Sequence, residues 1–203
     1  MIDIRKKMGE APYFENLGPI DDPFDFSRCC KDIFNHEGFD QPLEWTAAHG
    51  YKLNSIPQQF HPVILKAVDI HEQTHGQSMT ACWVHYNQGI LPPRATFRIG
   101  GIHFDAFPDT YPITKYPNND VFLVSDTLPT QFALQSYDMP ETIGETDGDL
   151  NQRITGILQE QTAERHIVTP DAYDMVRYDS FTVHRAQPSQ HCIKRTFLMI
   201  RFS

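Results

Sequence analysis

The sequence has no long hydrophobic run. Nowhere in its 203 residues do about 18 apolar residues follow one another, so no membrane-spanning helix is expected. The opening stretch Met1-Ile2-Asp3-Ile4-Arg5-Lys6-Lys7 lacks an apolar segment behind its charges, which speaks against a secretory signal. Cysteine is scarce. Cys29, Cys30, Cys82 and Cys192 show no zinc-type paired spacing, and adjacent Cys29 and Cys30 make a poor disulfide pair. Reduced thiols in a cytoplasmic protein are the expectation. Positive charge is also short: 17 Lys and Arg face 26 Asp and Glu, a formal net charge of −9. Such a surface repels phosphate backbones, so nucleic acid is not the expected partner. Internal repeats and low-complexity tracts are missing as well.

What is present suits one globular domain over residues 1–203, with 40% apolar and 21% charged residues. Residues 1–60 lack clear periodicity and read as an irregular N-terminal arm, packed down by Phe14, Phe24, Phe26 and Phe34. Pro62 opens a helical stretch that runs to His75, with Gly76 at the capping position, giving a helix over 61–76. From Thr80 to about Phe107 the pattern becomes strand-like, broken by turn signals, and Val121-Phe122-Leu123-Val124 forms a further short strand. Residues 138–170 interrupt the strands with a polar loop (Pro140, Gly144, Gly148) and a helix from Asn151 to Arg165. There Ile154, Ile157, Leu158 and Gln161 share a face. This insert is a candidate lid. Strands resume at Tyr173–Tyr178, Ser180–His184 and Arg195–Phe202. Many short strands with helices before and between them predict a mostly-β protein with helical additions. Its core over 80–203 is expected to be a double-sheet jelly roll, cupin-like in architecture.

Ten histidines in a chain of this size prompt a search for a metal site. In Gly101-Ile102-His103-Phe104-Asp105, strand alternation sends His103 and Asp105 to one face. Two His and one carboxylate on one face of an octahedral metal leave three positions open, the ligand set of non-haem iron(II) oxygenases. His184, at the end of a distant apolar strand, is the candidate second His. Arg195 follows eleven residues on, opening a strand whose alternation puts Arg195, Phe197, Met199 and Arg201 on one face. An Arg fixed beside a metal suits a bidentate grip on a carboxylate.

With these residues the sequence resembles the iron(II)/2-oxoglutarate-dependent dioxygenase superfamily, whose core is a double-stranded β-helix. The family pattern of His-x-Asp, a distal His and an Arg about ten residues further on is met by His103, Asp105, His184 and Arg195. Leu128-Pro129-Thr130-Gln131-Phe132 is similar to the stretch in the taurine-dioxygenase-like branch where a Thr contacts the co-substrate. That nominates Thr130, with Thr127 as fallback. The resemblance covers roughly residues 80–203 and does not reach residues 1–60. Position 105 is Asp rather than Gly or Ala, so the halogenase variant is not supported. The resemblance implies Fe(II) on His103, Asp105 and His184, and 2-oxoglutarate with its far carboxylate on Arg195, assisted by Thr130. It further implies O2-dependent oxidation of a small-molecule substrate, with release of succinate and CO2. No residue names that substrate.

Two readings of other classes stand beside this one. His71-Glu72-Gln73-Thr74-His75 matches the zincin pattern H-E-x-x-H, two His one helical turn apart with Glu as general base. Against it, Gly76 ends the helix at once, Gln73 and Thr74 suggest a solvent-facing turn, and Ala81 stands where a metzincin third ligand would. Two His in a last helical turn also suit the negative end of the macrodipole without any metal. The third reading is a jelly-roll binding module with no redox chemistry. Among other residues, Arg201 is an alternative carboxylate anchor or substrate contact, and Gly100-Gly101 could form a bulge that re-aims the ligands. Arg94, Arg98, Trp83, Tyr86 and Phe107 are possible pocket residues for which packing or exposure is the simpler role.

Overall fold

The structure is a computed structural model of the chain and describes residues 4–21, 37–42, 45–46, 50–53, 56–76, 82–96, 101–105, 120–140 and 150–202. Phe24, Phe26, Phe34, Arg98, Gly100, Phe107, Gly144 and Gly148 lie outside these residues.

The protein is mostly antiparallel β with helices added. In chain order the elements are α1 (Ile4–Gly9), β1 (Phe14–Pro19), β2 (Glu37–Pro42), β3 (Trp45–Thr46), β4 (Gly50–Tyr51), α2 (His61–His75), β5 (Cys82–Leu91), β6 (Asp120–Ser125), β7 (Gln131–Ala133), α3 (Leu150–Gln161), β8 (Ile167–Val168), β9 (Asp174–Asp179), β10 (His184–Arg185) and β11 (Ile193–Phe202). A six-stranded sheet has the order β1-β9-β6-β11-β5-β2, and a three-stranded sheet the order β10-β7-β8. The long β5 and β11 pair in register from Leu91↔Ile193 to Cys82↔Phe202. β6 is buried on both faces, as its unbroken run Val121–Val124 requires of a central strand.

Three apolar clusters order the layers. The outer face of the large sheet (Val84, Tyr86, Phe122, Val124, Ile200, Phe202) packs on α2 through Val63, Ile64, Ala67 and Val68. That spacing is one face of a helix. Pro62 lies in the first turn of α2, and Gly76 ends it at φ +76°, a backbone region glycine enters without strain. The inner face (Val121, Leu123, Val176, Tyr178, Phe197, Met199) closes on Phe132 of β7. The far side of the small sheet is covered by α3, whose Ile154 and Leu158 are wholly buried among Ile102, Phe104, Phe181 and Val183.

Several expectations need correction. The described residues of the N-terminal segment are not all irregular: β1 and β2 form the two edges of the large sheet. Edge strands are held by backbone hydrogen bonds on one side, so they carry little side-chain periodicity to read. Within the strand-like stretch expected from Thr80 to about Phe107, β5 ends at Leu91 and a turn follows at Pro92 in which Arg94 adopts φ +66°. Ser180–Val183 is a turn, because the Asp179 carboxylate accepts the Phe181 N–H and the Thr182 hydroxyl. The described part of the helical insert, 138–140 and 150–170, packs as core rather than as a lid. Its helix supplies core, and Gln161 pins the preceding chain by bonding both the N–H and the C=O of Asp138. No helix among the described residues is long and apolar enough to cross a membrane.

Candidate metal centre

His103 is the one residue of its segment in a β-bridge. Its N–H donates to the His184 carbonyl at 2.9 Å and its carbonyl accepts the His184 N–H at 2.7 Å. Side-chain alternation survives in this minimal pairing. Ile102 and Phe104 enter the cluster under α3, as does Val183, and His103, Asp105 and His184 turn to the inner side. Gly101 makes the approach possible with φ +96°, and its carbonyl lies 3.0 Å from His103 Nδ1. The Thr182 carbonyl lies 2.9 Å from His184 Nδ1 in the same way.

These carbonyls fix the chemistry of both rings. A carbonyl only accepts, so each neutral imidazole carries its proton on Nδ1 and offers an Nε2 lone pair. His184 Nε2 lies 3.6 Å from Asp105 Oδ1, and one ligand atom from each of the three residues falls within 4.8 Å of the others. Both histidines are buried, at 8% and 6% exposure. Neutral nitrogens and a carboxylate converging in a sheltered spot fit a divalent cation with oxygen and nitrogen preferences, iron(II) included. Tyr178, wholly buried on β9, donates its hydroxyl to Asp105 Oδ2 at 3.1 Å, leaving Oδ1 turned to His184. Sequence reasoning gave Tyr178 no role. Its alternation with Val176 on an inner-facing strand was the available signal.

Arg195 and Thr130 open into the same cavity as His103, His184, Tyr178 and Phe197. Arg195 is 2% exposed. Its guanidinium is cradled by the 125–128 turn. Nε donates to the Thr127 carbonyl at 3.1 Å, and Nη2 donates to the Leu128 carbonyl at 3.0 Å and to Ser125 Oγ at 3.4 Å. Leu128 sits at φ +44°, a left-handed conformation costing a bulky residue on the order of 1–2 kcal/mol. The turn accepts that strain while aiming two carbonyls at one cation. Asp126 beside it accepts the Thr196 N–H at 2.8 Å; burial raises its carboxyl pKa, against the pull of that bond and of the Arg195 charge. Thr127 contributes only its carbonyl here, whereas the buried Thr130 lines the cavity. Arg201 lies at the far end of β11 and does not line it.

The H-E-x-x-H residues meet a different fate on the outer face. His71 is buried, not solvent-facing, and stacks on Phe202 with centroids 4.1 Å apart. The carboxylate that closes on the pair is Asp120, not Glu72. His71 Nδ1 and His75 Nε2 each donate to Asp120 Oδ2 at 2.9 Å. Arg177 already holds both oxygens, through Nε to Oδ1 at 3.1 Å and Nη2 to Oδ2 at 2.7 Å, and Nη2 lies 3.3 Å from His75 Nε2. Three donor atoms within 4.8 Å satisfy a metal-site geometry here too, but a guanidinium stands where a cation would. Sequence reasoning missed Asp120 and Arg177.

Neither a protein-family model nor a curated protein sequence matches the chain. Among solved structures it is similar to EvdMO1, at 11% identity and a TM-score of 0.49, covering 98% of this chain and 49% of that one. It is also similar to AviO1 from Streptomyces viridochromogenes Tue57, at 14% identity and a TM-score of 0.47, covering 98% of this chain and 93% of that one. The chain thus spans about half the length of EvdMO1. Likenesses this loose leave the chemistry to be read from the residues.

Proposed function

We propose that this chain is a non-haem Fe(II)/2-oxoglutarate-dependent oxygenase acting on a small molecule. The observation that carries the reading is a single cavity lined by both histidines of the His-Asp-His cluster, a buried arginine and a buried threonine. The fold reading that goes with it is a double-stranded β-helix. It is supported by the way the chain alternates between sheets: β5, β6, β9 and β11 fall in the large one, and the His103 bridge, β7, β8 and β10 in the small one or against it.

In this reading His103, Asp105 and His184 hold the metal. When bound, Fe(II) with 2-oxoglutarate supplies oxidative decarboxylation of the co-substrate coupled to oxidation of a substrate C–H bond. The chain's own residues bind and orient. Arg195 pairs with the far carboxylate of 2-oxoglutarate in a water-poor site, where an unpaired carboxylate would cost several kcal/mol. Thr130 offers a hydroxyl beside it. Tyr178 keeps Asp105 from turning both oxygens to the metal. Free thiols at Cys82 and Cys192 suit a reducing compartment, and a cytoplasmic location goes with this reading.

The test is succinate formation from 2-oxoglutarate by the iron-loaded protein in air, with metal content measured in parallel. Iron that depends on His103, and succinate that disappears in Asp105→Ala, are expected. Zinc that depends on His71 would move the assignment to a peptidase. No metal and no succinate would leave a binding module. No observation favours the peptidase, since Arg177 already neutralises the carboxylate its histidines share.

A further inference from the structure

The inner face of the large sheet is not uniform. Across β9 and β6 it is apolar, carrying Val176, Val121 and Leu123. Across β5 the same face carries Trp83, His85 and Asn87, and Arg201 of β11 stands opposite Trp83. These side chains are only partly buried, whereas the alternate β5 positions Cys82, Val84, Tyr86 and Gln88 are buried. A sheet that merely closed a core would not choose this strip. A shielded polar atom left without a hydrogen bond is destabilising, and Asn87 Oδ1 and Arg201 Nε are cut off from solvent with no hydrogen-bond partner among the described residues.

The strip adjoins the metal centre. Met199 Sδ lies 4.0 Å from the Tyr178 hydroxyl that is donated to Asp105. On its other side Met199 is paired with His85, flanked two residues away by Trp83 and Asn87. The strip therefore begins one strand spacing, about 5 Å, from the side chain that touches the Asp105–Tyr178 pair.

We propose that Trp83, Asn87 and Arg201 form the substrate-binding strip and that it takes a small hydroxylated carboxylic acid. The proposal rests on the oxygenase reading and narrows its substrate class. A guanidinium selects a carboxylate. An amide oxygen needs a donor, which a hydroxyl supplies. The indole beside the Arg201 guanidinium, 6.0 Å from it, offers an apolar face to the carbon frame. Asn87 and Trp83 are four residues apart, about 13 Å of strand, so engaging both ends takes a frame of at least about six carbons.

The experiment uses the full chain loaded with Mn(II) and ligand-detected saturation-transfer NMR. The probes are D-gluconate, D-glucuronate and quinate. D-glucose serves as a control with hydroxyls and no carboxylate, and adipate as one with carboxylates and no hydroxyls. At least one hydroxy acid is expected to bind in preference to both controls, with its protons broadened by Mn(II). Arg201→Gln and Asn87→Leu should each weaken that binding about tenfold or more and leave Mn(II) affinity unchanged. Asn87→Leu is nearly isosteric and removes an amide oxygen with no partner among the described residues, so it should hold or raise the unfolding temperature while losing binding. A merely structural Asn87 would do the reverse. No preference for hydroxy acids, or binding indifferent to both substitutions, overturns the proposal. Mn(II) binding, read by electron paramagnetic resonance, keeps the two readings apart. A wild-type chain that binds no Mn(II) fails the oxygenase reading, whereas one that binds Mn(II) but no hydroxy acid fails this proposal alone.

Discussion

The large sheet carries a His-His-Asp cluster on each side. On the inner side His103, His184 and Asp105 converge, and the group touching the aspartate is a neutral tyrosine hydroxyl. On the outer side His71, His75 and Asp120 converge, and the group touching the aspartate is a guanidinium. Donor types and spacing are alike. The inner rings spend Nδ1 on backbone carbonyls and keep Nε2 available, while the outer rings spend an N–H on the carboxylate itself. A metal site is therefore defined less by its ligand residues than by what already occupies their oxygens and nitrogens. The outer cluster is a structural ion-pair network tying α2 to β6 and β9. The inner one sets its carboxylate between a tyrosine hydroxyl and the Nε2 of His184.

The sharpest way to break this division is to neutralise each aspartate in turn. Asp120→Asn leaves the buried Arg177 and two histidines facing an amide, and should cost about 3–5 kcal/mol of stability. Asp105→Asn should cost under about 1 kcal/mol in metal-free buffer, since the histidines beside it stay satisfied by carbonyls. Urea unfolding with a chelator present measures both. Added Mn(II) should then stabilise the wild-type chain by about 2.7 kcal/mol at a hundred times Kd, and Asp105→Asn not at all. Equal costs for the two substitutions, or metal stabilisation that survives in Asp105→Asn, would erase the distinction.

The two clusters also differ in how far they could be read from sequence. His103 and Asp105 were legible because alternation with Ile102 and Phe104 is a local pattern that persists even where only one residue bridges. His184 and Arg195 were legible through the family pattern. The outer histidines were legible as a motif, but their partners were not. Asp120 and Arg177 meet across two strands far apart in the chain, and a cross-strand ion pair leaves no periodic signature. Charge pairing was thus invisible where it decided the chemistry. Edge strands β1 and β2 were lost for the reason that edges need little side-chain pattern. The helix at 150–161 was legible as a helix, but its packing was not. Burial of Ile154 and Leu158 depends on which sheet face lies opposite, and no property of the helix alone states that.

Acid should separate the clusters next. Burial alone would raise the Asp120 carboxyl. Hydrogen bonds from His71 and Arg177, with the charges of Arg177 and His75, outweigh it and bring the group down to about 2. A depressed carboxylate contributes stability that is complete above its unfolded value near 3.8 and is lost as pH falls through the folded value. Roughly 2 kcal/mol should therefore disappear between about pH 4 and pH 2. The slope in that window should flatten in Asp120→Asn, which no longer has the proton to take up. Unfolding midpoints across the window measure it, and an unchanged slope would mean that the network does not hold the charge assigned to it.

The smallest effect falls on the residue that distinguishes the inner aspartate. Tyr178→Phe keeps the ring among Phe132, His184 and Met199 and deletes only the hydroxyl on Asp105 Oδ2. Stability should change by less than about 1 kcal/mol, because Asp105 is partly exposed and water can reach the oxygen released. Metal affinity should fall about tenfold, since a ligand whose free oxygen is no longer tethered must be ordered on binding. A Mn(II) titration and a thermal melt of the same sample separate the two outcomes. Lower stability with unchanged affinity would make Tyr178 a packing residue, and the contrast between a hydroxyl-held and a guanidinium-held aspartate would then rest on Asp120 alone.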